Sequence, residues 1–215
     1  MKVGVDGVLL GAWANFCHPR NILDVGCGSG LISLQMAQRF PLATIHAIDI
    51  EPAALQQSLE NFSNCNFKNP FSSYLGNFLS TNFERPFDGI ICNPPFFSGE
   101  QNNDQKRAFA REAVHMPLEG FFKKCDTVLS EEGRIALIYP SEKEVELTQC
   151  ANTFGFNTLE KCRVFGSSTI KSKRTLFLFG KQSINPLFSS LQIEKDRGDY
   201  TEEYQALLKD FYLKF

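Results

Sequence analysis

Three glycines at alternate positions, Gly26, Gly28 and Gly30, stand directly between a short apolar run and an amphipathic one. The run Asn21-Ile22-Leu23-Asp24-Val25 reads as a strand. From Leu31 to Phe40 the apolar residues Ile32, Met36 and Phe40 recur every four, with Leu34 and Ala37 beside them, which is the period of a helix. A strand that turns through bare glycines into a helix lets a ligand approach the backbone and commits the chain to a strand–helix–strand unit.

The rest of the chain repeats that alternation. Strands are expected at 44–48, 71–75, 87–92 and 134–139. Helices are expected from Pro52, which suits a first helical turn, to about Phe62, and from about Leu118 to Leu129. A polar loop lies at about 98–104. Such alternation calls for a parallel sheet with helices on both faces. After Pro140 the pattern changes. A helix near 142–154 is followed by strands at 159–165 and 174–179 with no helix between them, so they form an antiparallel hairpin. A last helix spans 201–211 with Thr201 as its N-cap. No repeat or linker divides the 215 residues, which read as one domain: an N-terminal segment 1–20, a core 21–180 and a strand/helix extension 181–215.

Composition excludes several classes. Hydrophobic residues at 43% and charged residues at 21% are those of a globular chain rather than a disordered one. No apolar run is long enough to span a membrane, and the N-terminus lacks a secretory pattern, so a cytoplasmic location is expected. The net charge of −2 means that a nucleic-acid partner would be held by a local patch. The seven cysteines contain no C-x-x-C pair and no His–Cys cluster. No metal site is expected, and the thiols read as buried and reduced. His18, His46 and His115 read as structural or exposed, and most of the 21 phenylalanines as core.

The glycine segment fails the dinucleotide fingerprint G-x-G-x-x-G, because Leu31 stands where the third glycine belongs. Asp24, placed at the mouth of the crevice, would repel a pyrophosphate and welcome an ammonium or sulfonium. Asp49, nineteen residues after Gly30 at the end of the second strand, is placed to accept both hydroxyls of a ribose. As a lone residue it reads equally as a helix-cap acid. A ribose and a positive centre without phosphate describe S-adenosylmethionine.

A second motif, Asn93-Pro94-Pro95-Phe96, leaves the fourth strand. The two prolines lock their own φ angles and donate no hydrogen bonds. The Asn93 side-chain oxygen and the Pro94 carbonyl then make two acceptors suited to a planar –NH₂ group. Phe96 can stack on the base that carries it. By itself the turn reads more readily as a tight strand exit with a core Phe; its place beside the glycine cluster, at the carboxyl end of a neighbouring strand, favours the ligand reading.

These residues resemble those of the class I S-adenosylmethionine-dependent methyltransferases. The resemblance implies a Rossmann-like, mostly parallel sheet of seven strands whose last two form the antiparallel hairpin. It places Asp24, Gly26, Gly28 and Gly30 around the methionine end, Asp49 at the ribose and Asn77 and Phe78 at the adenine, with Ile50 also among the cofactor-binding residues; relatives usually carry Asp where this chain has Asn77. Asn93-Pro94-Pro95-Phe96 resembles the acceptor turn of amino-methyltransferases acting on adenine, guanine or glutamine. Three separated stretches, 1–14, 93–97 and 200–213, resemble the bacterial valine-tRNA adenine-37 N6-methyltransferases more closely, with Val5 for the usual Thr and Phe96 for the more common Tyr. That implies a monomeric enzyme that takes tRNA as substrate, methylates adenine 37 of valine tRNA in the anticodon loop, and splays the base out beside Asn93. Lys106, Arg107 and Arg111, and Lys171, Lys173 and Arg174, are the candidate phosphate contacts. Alternatives are a glutamine-N5 protein methyltransferase, a non-catalytic subunit that binds cofactor or RNA, and, furthest, a nicotinamide dehydrogenase.

Overall fold

Alternation of side chains along the central strands sorts the core of the computed structural model, which describes residues 4–94, 116–167 and 171–212, into two layers. The sheet is built from β1 (Asn21–Val25), β2 (Thr44–Asp49), β3 (Phe71–Leu75), β4 (Phe87–Cys92), β5 (Leu129–Pro140), β6 (Asn157–Phe165), β7 (Arg174–Gly180) and β8 (Leu187–Gln192). Ile22, Ile91, Ala136, Ile138, Leu176 and Leu178 face one side. Leu23, Val25, Ile90, Ile135, Leu137, Phe177 and Phe179 face the other. A period of two with both faces apolar is the pattern of strands covered on both sides.

The first face is covered by α1 (Val5–Trp13), α2 (Leu31–Arg39), α3 (Pro52–Ser63) and the last helix α6 (Glu202–Leu208), through residues such as Val8, Met36, Phe62 and Leu208. The second is covered by α4 (Leu118–Val128) and α5 (Glu144–Thr153), a 3₁₀ turn at Ser141–Lys143 leading into the latter. Phenylalanines dominate this second layer. The Phe177 and Phe179 rings stack 5.5 Å apart, and Phe122 meets Phe179 edge-on. The majority-core reading of phenylalanine holds for these, while Phe188 on β8 is exposed.

The strands run in the order β3-β2-β1-β4-β5-β7-β6-β8. β1 to β5 are mutually parallel, and β7 is antiparallel to both β5 and β6. The expected hairpin is therefore present, but the sheet has eight strands rather than seven. β8, from the C-terminal extension, adds to the edge parallel to β6. A small ladder of β9 (Glu194–Asp196) and β10 (Asp199–Tyr200) follows. Thr201 caps α6 as expected, its hydroxyl accepting from the Tyr204 amide at 3.2 Å, although the helix ends at Leu208, short of Phe211.

α1 was not anticipated. Its Gly7 and Gly11 lower helix propensity, and packing on α2 compensates. Gln35 Nε2 donates to the Val8 carbonyl at 3.0 Å, and Arg39 Nη1 to that of Gly11 at 2.7 Å. All seven thiols are free, but only Cys27, Cys92, Cys125 and Cys162 are buried; Cys17 is exposed, and Cys65 and Cys150 are half-buried. His46 has a structural place, with Nδ1 3.3 Å from the Tyr74 hydroxyl and its ring edge-on to Phe87. Among the described residues no helix is long and apolar enough to cross a membrane.

Candidate active site

The strand order reverses between β1 and β4, and in open α/β sheets that is where a crevice opens beyond the carboxyl ends. Val25 is in register with Ile48 on one side and Cys92 on the other. The next residues of the three strands, Gly26, Asp49 and Asn93, therefore emerge side by side.

Gly26, Gly28 and Gly30 have φ of 72°, 55° and 80°, the left-handed region that costs a side-chain-bearing residue about 1 kcal/mol or more. A Cβ on Gly26 would meet nothing within 4 Å among the described residues, which leave that side of the loop open. A Cβ on Gly30 would lie 2.5 Å from Ser58 Oγ and 3.1 Å from Ser58 Cα, so the end of the loop is pressed on α3. Asn61 Nδ2 on α3 also donates to the Ser29 carbonyl at 2.9 Å. Gly30→Ala should combine backbone strain with this clash and lower unfolding stability by about 2–4 kcal/mol, read by urea denaturation.

Asp49 braces the loop. Its Oδ2 accepts from the Gly28 amide at 2.8 Å and its Oδ1 from the Glu51 amide at 2.9 Å. Each oxygen keeps a second lone pair, so the carboxylate can still accept two ribose hydroxyls. Ile50 beside it is 42% exposed. Asn77 Oδ1 accepts from the Leu79 amide at 2.9 Å, an Asx turn that occupies the oxygen locally. The Phe78 side chain lies in the core against Phe83 and Phe121, so at a bound adenine this residue can offer only its backbone.

Asp24 departs most from expectation. It is not at the crevice mouth but 1% exposed, on the sheet face beneath α2. The alternation explains this: Asp24 shares the parity of Ile22, which packs under that helix. Its Oδ2 accepts from Ser33 Oγ at 2.7 Å, and its Oδ1 has no hydrogen-bond partner among the described residues. Burial pushes the carboxyl up to about 7, the Ser33 donation opposes the rise, and the Asp49 charge adds to it. A buried carboxylate lacking one partner, under an open glycine loop, fits a cofactor whose end is positively charged.

Asn93 and Pro94 are half-buried at the exit of β4. The position of a Cβ on Gly7 would lie 3.6 Å from Asn93 Nδ2, 3.7 Å from Leu31 Cδ2 and 3.9 Å from Ile32 Cδ1. The start of α1, the start of α2 and Asn93 thus meet at one point. Pro95, Phe96, Lys106, Arg107, Arg111, the 98–104 loop and His115 lie outside the described residues.

Lys171, Ser172, Lys173 and Arg174 line a groove of about 340 Å³ with Pro140 and Glu142. Arg174 is paired with Pro140 in the sheet, at the end of β5 and on the same edge as Asn93. Lys171 and Lys173 are exposed, whereas Arg174 Nε donates to Asp6 Oδ2 on α1 at 2.7 Å. Arg174, expected on RNA, ties the first helix to β7.

Ser33, Ser58, Asn61 and Asp6 were absent from the sequence reading. Only Ser33 carried a signal, as a hydroxyl on the same helical stripe as Ala37 and Phe40.

The family model of the methyltransferase small domain matches residues 8–163. The chain belongs to that family. More particularly, it is 40% identical over its whole length to the tRNA1(Val) (adenine(37)-N6)-methyltransferase of Flavobacterium psychrophilum, covering 93% of that protein. It is 38% identical to the protein of the same name from Vibrio vulnificus strain YJ016, of which it covers 90%. Among solved structures, a protein described as a predicted O-methyltransferase from Agrobacterium tumefaciens superposes with a TM-score of 0.74 at 18% identity, over 95% of this chain and 96% of that one. The ribosomal protein L11 methylase of Lactobacillus delbrueckii subsp. bulgaricus gives 0.60 at 16% identity, over 82% and 77%. At these identities the two structures speak for the fold alone.

Proposed function

We propose that this chain methylates N6 of an adenine in tRNA with S-adenosylmethionine, the adenine being position 37 in the anticodon loop of valine tRNA. The observation that carries the reading is the emergence of Gly26, Asp49 and Asn93 side by side at the sheet's reversal point. The full-length likeness to the tRNA1(Val) enzymes supports the choice of substrate.

On this reading Gly26, Gly28 and Gly30 wrap the methionine end, Asp24 lies beneath the positive charge, and Asp49 holds the ribose, with Ile50, Asn77 and the Phe78 backbone toward the adenine. Bound there, the cofactor supplies a methyl group activated by its sulfonium. An exocyclic amine is a weak nucleophile because its lone pair is delocalised. The Asn93 side-chain oxygen and the Pro94 carbonyl accept its two hydrogens, which favours the positive charge that builds on nitrogen in the transition state. Pro95 fixes the turn, and Phe96 stacks on the base. The anilinium-like nitrogen is strongly acidic and yields its proton to solvent afterwards. A cytoplasmic location and a monomeric enzyme belong to the same proposal, which takes tRNA as the substrate.

The direct test supplies methyl-labelled cofactor with undermodified tRNA and with cell protein, then digests the labelled product. Label in N6-methyladenosine from valine tRNA is expected. Label in glutamine would move the chain to the protein-modifying amino-methyltransferases.

Lys171 and Lys173, with Lys106, Arg107 and Arg111, are assigned to the RNA backbone. Reversing the charge of Lys171 and Lys173 together should weaken tRNA binding and flatten its dependence on salt by about one unit of slope per lysine. Filter binding across salt concentrations measures this. Cofactor affinity, measured in parallel, should not change.

A further inference from the structure

We propose that Ser33 is a positioning residue for the cofactor: its buried hydroxyl fixes the orientation of the Asp24 carboxyl beneath the glycine loop. The inference rests on the cofactor reading above and adds a residue to it.

Ser33 is the third residue of α2 and is fully buried, on a face otherwise occupied by Ile32, Met36 and Ala37. Nothing local favours serine there, since alanine is the better helix former and brings no hydroxyl to satisfy. The hydroxyl has one hydrogen to give, and it goes to Asp24 Oδ2 at 2.7 Å. The Ser33 backbone amide adds a second favourable interaction with the same carboxyl. Donation of this kind is worth more to a carboxylate than to a carboxylic acid. It also fixes which oxygen is used, leaving Oδ1 without a partner among the described residues.

Among the described residues, the other groups facing Asp24 do not supply a counter-charge. β2 contributes Asp49, whose charge opposes ionisation of Asp24. The glycine loop contributes Cys27 and β4 contributes Cys92. Burial first, and the Asp24 charge second, raise both thiols far above the ordinary thiol range, so they stay neutral. α2 contributes Ser33. Against burial and the Asp49 charge stand the Ser33 hydroxyl and the Ser33 amide, of which substitution can remove the hydroxyl alone, with the carboxyl poised at about 7.

The test is titration calorimetry of S-adenosylmethionine across the neutral pH range, with the unsubstituted protein, Ser33→Ala and Asp24→Asn. The free cofactor's own amino group titrates identically in all three series, so a difference between the proteins in the position or presence of a limb belongs to Asp24 and its partner. For the unsubstituted protein, affinity relative to Asp24→Asn should rise as pH increases through about 7 and then level off. In Ser33→Ala this limb should move to higher pH, with binding about tenfold weaker at neutral pH and converging toward the unsubstituted protein at alkaline pH. Asp24→Asn should bind weakly and lack the limb. A Ser33→Ala limb that coincides with that of the unsubstituted protein, or a loss equal at every pH, would reduce Ser33 to packing and overturn the inference alone. Failure of the unsubstituted protein to bind would overturn the cofactor reading with it. Ser33→Ala removes one oxygen and improves helix propensity, and a thermal scan beside the calorimetry establishes that it is folded.

Discussion

Asn93→Ala is expected to lower kcat for methyl transfer by about 100- to 1,000-fold, the range for removing one preorganised electrostatic partner from a transition state. Both kcat and kcat/KM should fall together, because the acceptor is needed most when charge has built on nitrogen. Cofactor affinity should stay within about twofold, since Asn93 belongs to the acceptor side of the crevice. Asn93→Asp keeps an oxygen acceptor at the same reach and should retain more activity than the alanine variant. Single-turnover kinetics on undermodified tRNA separates chemistry from release. A kcat within about threefold of the unsubstituted enzyme would remove Asn93 from the reaction.

Asp49→Ala should weaken S-adenosylmethionine binding by about 100-fold or more, through two losses that add. The ribose loses its acceptors, worth about 1.5–3 kcal/mol for each hydrogen bond to a charged group. The glycine loop loses its brace, because the Gly28 and Glu51 amides both donate to this carboxylate. Asp49→Asn is not conservative, since one of those two amides would then face an –NH₂ group. Calorimetry gives the affinity. A thermal scan without ligand should register the lost brace as a fall of several degrees. Unchanged affinity would mean that the ribose is held elsewhere.

The parts legible in the sequence are those where a residue type answers a local backbone demand. Gly26, Gly28 and Gly30 all take left-handed φ, as a tight strand-to-helix turn requires. The apolar alternation of β4 and β7 reports a sheet covered on both sides. Thr201 caps its helix because a hydroxyl satisfies an orphan amide.

What escaped is tertiary. α1 carries glycines that argue against a helix in isolation, and only the fit to Gln35 and Arg39 makes it one. A strand was expected in the 181–215 extension, but β8 is exposed along most of its length, so no alternation marked its bounds or its place as an eighth strand of the sheet. The position of Asp24 beside the glycines was readable, but its depth depends on which face α2 covers. Arg174 read as a surface cation because its partner, Asp6, is 168 residues away.

That last pair bears on when the enzyme matures during synthesis. The helix that walls Asn93 precedes β1 in the chain, yet it is tied to Arg174 on β7 and shares its core with Tyr204 and Leu208 on α6. Its docking must await the synthesis of those later segments, a long-range closure of the slow kind. The growing chain can settle β1 to β4 and the glycine loop early, while the wall beside Asn93 is completed only once β7 and α6 have followed.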